Sequence, residues 1–197
     1  NNGGPKIFSV SGHVARPGNY EVPLGTPFAD LLALAGGMRE GRRLKGVIPG
    51  GTTMKVIPAD LVMQIDMDFD SLRQAGSGLG SGAVIVMDDT TCMVSACHRI
   101  SRFYMSESCG QCTPCREGTG WMYRLLDRIV NRRATRDDLD RLAEVSRHIE
   151  GHTICAFGEA AAWPVQGFLQ HYWPEFEFFV EHGYSMVDAA QGRMKPT

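Results

Sequence analysis

Within Glu107-Ser108-Cys109-Gly110-Gln111-Cys112-Thr113-Pro114-Cys115-Arg116-Glu117-Gly118, three thiols recur with two residues between neighbours. A further cysteine, Cys155, stands much later in the chain. Cluster irons take thiolate sulfur. Three cysteines from one short loop, joined by a fourth from a distance, is the pattern of a chain wrapping a compact inorganic cluster. The spacing predicts that Cys109, Cys112, Cys115 and Cys155 hold an iron–sulfur cluster of the 4Fe-4S type. Gly110, Thr113 and Pro114 let the backbone turn around it. A helix following the loop would bring its amino terminus to Cys115, where its partial positive charge suits an anionic cluster. Arg116 adds a full charge next door. Both effects favour the reduced state and raise the potential.

Other chemistries fit these residues less well. Structural zinc usually takes cysteines as separated pairs rather than three in series. Disulfides would need an oxidising compartment, and nothing at the amino terminus reads as an export signal. Thiols left free in an exposed loop would oxidise. Cys92 and Cys97 fall in a helical stretch and read as small core residues. His152, three residues before Cys155, could ligate in principle but reads as a capping or supporting residue. Glu107, Glu117 and Glu159 flank the cysteine segments and read as capping or surface groups. No Ser-His-Asp or other nucleophile–base set can be assembled.

The elements that must position these thiols follow from the rest of the 197 residues. A hydrophobic content of 43% and charged content of 21% are those of a globular chain. The formal net charge of -2 and the lack of a basic stripe exclude a nucleic-acid footprint. No apolar run of about 18 residues is present to span a membrane. The start Asn1-Asn2-Gly3-Gly4 has no initiator Met and reads as a cut in a linker, so a fragment or processed chain is expected.

Lys6–Ser11 and Tyr20–Val22 read as a hairpin around the turn Arg16-Pro17-Gly18-Asn19. Thr26-Pro27 should cap a helix whose stripe is Phe28, Leu31, Leu32 and Ala35, ended by Gly36-Gly37. Two more strands are expected at Leu44–Ile48 and Thr53–Ile57. Asp60–Gln74 reads as irregular, then a short helix capped near Asp68. Gly76–Gly82 resembles a phosphate loop only superficially, because a strand, Ala83–Met87, follows it where a helix should. A flexible approach to an edge strand is expected instead.

From Asp89 the apolar period becomes helical. Asp89-Thr90-Thr91 should cap a helix to about Met105 with Val94, Cys97, Ile100 and Tyr104 buried. Met122, Leu125, Leu126, Ile129 and Val130 mark the next. Thr135-Arg136-Asp137-Asp138 reads as a capping box opening a third helix that stops at Gly151. A fourth begins near Phe157, with breaks expected at Pro164 and Pro174. The expected fold is α+β: a small β-grasp (ubiquitin-like) domain over residues 1–88, an all-α four-helix bundle over 89–182 carrying the cluster, and a weakly ordered tail over 183–197.

The cysteine motif resembles that of the flavin-binding, NADH-oxidising subunit of respiratory complex I, the F-subunit family of the NADH:quinone oxidoreductases. Ser11-Gly12-His13-Val14-Ala15-Arg16-Pro17-Gly18, Ile48-Pro49-Gly50-Gly51 and Ala162-Trp163-Pro164-Val165 add support. The resemblance is to the carboxy-terminal part of a bacterial subunit and runs from Lys6 to about His182. It implies a soluble-ligand-binding β-grasp domain and cluster ligands Cys109, Cys112, Cys115 and Cys155. It also implies electron transfer from FMN, reduced by NADH, through the 4Fe-4S cluster toward quinone. FMN and NADH belong to an amino-terminal domain that this chain does not match, so the chain alone is not expected to oxidise NADH. Implied partners are the 2Fe-2S subunit and the large iron–sulfur subunit of the peripheral arm, with no nucleic acid and no membrane insertion. The implied location is cytoplasmic, peripheral to the inner membrane. The matching subunit of an NAD-linked hydrogenase or formate dehydrogenase, and a docking module with a structural metal, remain alternatives.

Overall fold

The computed structural model describes residues 3–193, so the Asn1-Asn2 start and the last four residues of the expected tail lie outside it. The chain divides into two compact units, Asn1–Thr91 and Cys92–Thr197.

The first unit contains β1 (Pro5–Gly12), β2 (Gly18–Pro23), α1 (Phe28–Leu34), β3 (Leu44–Ile48), β4 (Ile57–Pro58), α2 (Ala59–Val62), α3 (Phe69–Gln74) and β5 (Ala83–Asp88). The strands form one five-stranded sheet in the order β2-β1-β5-β3-β4. β1 and β2 are an antiparallel hairpin, while β1 and β5 pair in parallel, which a hairpin cannot supply. This is the β-grasp topology. Phe8, Val10, Val84 and Val86 from the sheet meet Phe28 and Leu31 of α1 in the core.

Three local expectations are corrected. Ala83–Asp88 is not an edge strand: it lies between β1 and β3, and its near-continuous apolar run suits a strand covered on both faces. Thr53–Ile57 is not a strand. The chain turns after Gly51, whose φ is +90°, and pairs only at Ile57–Pro58, an edge position where proline's missing N–H is tolerated. Thr26 does not cap α1, whose N-cap is Pro27; the Thr26 hydroxyl donates to the Pro23 carbonyl at 2.7 Å instead. Asp68 does cap α3, accepting the Ser71 amide at 2.7 Å.

The glycine run 76–82 is a packing device. A Cβ on Gly80 would stand 2.1 Å from the Gly50 carbonyl oxygen, and one on Gly50 would stand 2.5 Å from the backbone of Gly78 and Leu79. The backbones touch where a side chain would separate them. The segment leads into a central strand, without a helix to cradle phosphate.

The second unit is helical: α4 (Met93–Glu107), α5 (Thr113–Val130), α6 (Arg136–Ile149), α7 (Phe157–His182) and α8 (Met186–Ala190). Helices α4 to α7 form the bundle, each packing on the next and α7 closing back on α4. Val94, Cys97, Tyr104, Met122, Leu126, Ile129, Leu139, Leu142 and Phe168 supply its interior. The α4 cap is Cys92, whose sulfur accepts the Ser95 amide, because Asp88 commits its carboxylate to Thr90 at the end of β5. Ile100 is only half-buried.

The capping box is present at α6: the Asp138 carboxylate accepts the Thr135 amide at 2.8 Å, and Arg128 pairs with it at 3.0 Å. Pro164 passes without a break. The interruption associated with Pro174 falls upstream at Tyr172 (φ -127°, ψ 22°), where the helix yields around the ring it cannot bond to. The expected weak tail holds a capped turn, α8, in which Ser185 accepts the Asp188 amide. Among the described residues, no helix is long and apolar enough to cross a membrane.

Candidate metal centre

Cys112 is the N-cap of α5 and Cys115 sits in its first turn, with Pro114 pre-setting the helical backbone. Cys109 precedes them in the α4–α5 connection, where Gly110 takes a φ of +78° that other residues avoid. Cys155 lies in the α6–α7 connection. The bundle folds these two connections to one end. There the four cysteines, with Glu107, Thr153, Phe157 and Gly158, line a single cavity of about 200 Å³. Cys115 is buried (7% exposed), Cys112 half-buried, and Cys109 and Cys155 exposed, so the cavity lies at the surface of the unit.

Hydrogen bonds tie the two connections around sulfur. The Ile154 amide donates to the Cys112 sulfur at 3.3 Å, across 42 residues of sequence. The Ser108 hydroxyl stands 3.2 Å from the Cys115 sulfur. A metal-bound thiolate has no proton, so in that state the hydroxyl is the donor. Thr153 shapes the turn into Cys155, its hydroxyl donating to the Cys155 carbonyl at 2.9 Å. Behind Cys115, the Thr119 hydroxyl donates to its carbonyl at 2.8 Å and locks the first turn of α5.

Arg116 is less available than its position suggests. Its guanidinium donates to Glu117 at 2.9 Å and to the Gly110 carbonyl at 2.9 Å, so it clasps the loop while Glu117 offsets its charge. The favourable field at the thiols therefore comes from the α5 terminus and the sulfur-directed donors.

The donor set fits a polynuclear cluster. A tetrahedral zinc site, with Zn–S bonds of about 2.3 Å, needs its sulfurs about 3.8 Å apart. Among the described residues, no three His, Cys, Asp or Glu side chains converge as ligands of one ion. Four thiols around a shared cavity leave room for a larger inorganic core, and sulfur-directed N–H and O–H donors are what such a core takes from its protein.

The other flagged residues lie apart from this cavity or do other work. Burial pushes the Cys97 thiol up to about 12, so it is an inert core residue. His152 is exposed, with Nδ1 2.8 Å from the Glu150 carbonyl oxygen. Glu159 accepts the Gly151 amide at 3.0 Å. Among the described residues, no disulfide links any of the six cysteines. Sequence reasoning passed over Ser108, Thr153 and Gly158. The one available signal was small residues adjoining the cysteines, since a Cβ on Gly158 would meet the Thr153 hydroxyl at 2.2 Å.

Comparison with known proteins agrees with this geometry. The profile of the NADH-ubiquinone oxidoreductase-F iron-sulfur binding region matches residues 95–178, and that of the SLBB domain matches residues 7–57. The NADH-quinone oxidoreductase F subunit of Rickettsia rickettsii (strain Sheila Smith) is 52% identical over 189 residues, 95% of this chain and 44% of that protein. The F subunit of Rickettsia felis is 54% identical over 179 residues, 90% of this chain and 42% of that protein. The chain thus spans less than half the length of these relatives. A crystal structure of an NAD+-reducing NiFe-hydrogenase in its H2-reduced state matches with a TM-score of 0.80 at 31% identity, over 98% of this chain and 34% of that one. The chain belongs to the F-subunit family of the NADH-quinone oxidoreductases, and corresponds to the C-terminal part of that subunit.

Proposed function

We propose that the helical unit is an electron relay in which Cys109, Cys112, Cys115 and Cys155 hold a 4Fe-4S cluster. The observation that carries this reading is the single cavity at the amino end of α5, lined by all four thiols and reached by donors aimed at two of their sulfurs. Such a cluster takes up and releases one electron at a time. The chain's own residues fix the thiols, supply N–H and O–H donors, and place the site near the surface, within reach of a donor and an acceptor outside this chain. In the full subunit that donor would be FMN reduced by NADH, and the electrons would travel onward through other subunits of an NADH:quinone oxidoreductase. Association with a membrane would come through those subunits. The β-grasp unit would serve as a neighbour-facing scaffold rather than a redox site.

A second context is the equivalent subunit of an NAD-linked hydrogenase, supported by the fold match to that enzyme. The higher identity to the quinone-linked relatives favours the first.

The test is Cys155→Ser in the full subunit within its complex. NADH should still reduce the flavin while the cluster signal and electron delivery to quinone are lost. Quinone reduction that continues at the wild-type rate with the cluster gone would make the metal structural and the reading wrong.

A further inference from the structure

Beside the cysteine cavity, α5 and α6 leave a groove in the surface of the bundle. Two adjoining cavities of about 400 and 270 Å³ share Trp121, Val145 and His148. The α5 side runs from Pro114 through Gly118, Trp121 and Leu125 to Arg128, spaced at three and four residues, so it is one helix face. The helices approach most closely near the thiol end, where a Cβ on Gly118 would stand 2.7 Å from Ile149. From Thr113 to Arg128 the groove is about 22 Å long at 1.5 Å per residue, the length of a helix of roughly fifteen residues.

Two features mark this groove as a contact surface. Trp121 is 56% exposed on an otherwise ordinary bundle surface, and a half-exposed tryptophan beside a groove is the kind of side chain that anchors interfaces. The rim is also basic although the chain is net negative: Arg124, Arg128, Arg141 and His148 face one acid, Glu144. Arg128 is engaged by Asp138, but among the described residues no ion pair holds Arg124 or Arg141. An apolar floor with a positive rim is complementary to an amphipathic helix that is apolar on one side and acidic on its flanks.

We infer that the α5–α6 groove is the docking site for an acidic amphipathic helix of a partner subunit, with Trp121 as its anchor. The inference rests on the reading of this chain as part of a multi-subunit oxidoreductase. Because Thr113 and Pro114 line the groove and Cys112 and Cys115 flank them in sequence, the docked helix would reach the end of the bundle that carries the thiols. Rim charges would act mainly on the rate of association and its salt dependence, and the tryptophan on the lifetime of the contact.

The test uses the full-length subunit in its assembled complex, with the photo-crosslinker p-benzoylphenylalanine at position 121. The expected result is a crosslink to a net-acidic, helical segment of another subunit. An Arg124→Glu, Arg141→Glu double variant should then weaken recovery of that subunit about tenfold, the loss of a moderately strong contact. No crosslink, a crosslink to a basic segment or to a second copy of this chain, or assembly of the double variant at wild-type level would each overturn the inference. Iron content and the reduced-state spectrum of the same preparations keep the two readings apart. Loss of cluster with the crosslink intact sinks the relay, whereas normal iron with no crosslink sinks the docking site.

Discussion

Gly158→Ala should damage the metal centre without touching a thiol. Gly158 is buried in the first turn of α7, three residues after Cys155. An added Cβ would stand 2.2 Å from the Thr153 hydroxyl oxygen, 2.7 Å from its methyl and 3.0 Å from its Cβ. Thr153 is β-branched and cannot swing away freely. Its hydroxyl is also committed to the Cys155 carbonyl at 2.9 Å. Overpacking of this kind costs about 1–3 kcal/mol, and losing the hydrogen bond about 1 kcal/mol more. Alanine's better helix propensity returns at most about 1 kcal/mol, so strain wins and the net loss is about 1–3 kcal/mol. The strain falls on the turn that presents Cys155, so iron incorporation on anaerobic reconstitution should drop together with the urea midpoint. In the Thr153→Ala, Gly158→Ala double variant the two shortest contacts are gone, and both readings should recover in part. The reasoning fails if Gly158→Ala is neutral or stabilising, or if the double variant is as poor as the sum of the singles.

Three further outcomes are expected. Ser108→Ala removes the hydroxyl 3.2 Å from the Cys115 sulfur, so it should move the cluster midpoint potential to more negative values with iron content unchanged; an unmoved potential in a redox titration would refute the donor role. In the metal-free folded chain, iodoacetamide at neutral pH should modify exposed Cys109 and Cys155 and spare Cys97, whose thiol is pushed up to about 12 by burial, and mass mapping of the adducts would show the reverse if the core assignment were wrong. Asp138→Asn should lower stability by about 1–2 kcal/mol at neutral pH, the value of a buried cap and its bonds. Burial pushes the Asp138 carboxyl up, but the Thr135 amide and the Arg128 charge outweigh it, holding it below the usual 3.8. A carboxyl lowered in the folded state stabilises above the unfolded value and loses that contribution as pH falls through the folded one. The acid limb below about pH 3.8, followed by circular dichroism of the metal-free chain, should therefore flatten in Asp138→Asn.

What the sequence revealed and what it hid divide along local against long-range information. Cysteine spacing identifies thiols that the bundle brings to one cavity, because cluster ligation constrains loop length directly. The stripes through Met122, Leu126 and Ile129 and the Thr135–Asp138 box mark helices from neighbours three and four residues apart. By contrast, the place of β5 between β1 and β3 depends on a parallel pairing across more than seventy residues, which no local pattern encodes. Thr26 reads as a cap because its hydroxyl could reach the helix; the structure turns it to Pro23. Ser108 and Gly158 stay silent in sequence since their roles come from what the fold places beside them, a sulfur in one case and Thr153 in the other. The groove along Trp121 is likewise hidden, because helix periodicity tells which face α5 turns outward but not that α6 stands off from it.

The most direct test of the relay is the electron paramagnetic resonance spectrum of the anaerobically reconstituted, dithionite-reduced chain, recorded together with iron and sulfide analysis. The account predicts about four iron and four sulfide per chain and a reduced-cluster signal that disappears in Cys155→Ser. A colourless, zinc-loaded and spectroscopically silent protein, or a signal that survives the loss of Cys155 unchanged, would contradict it.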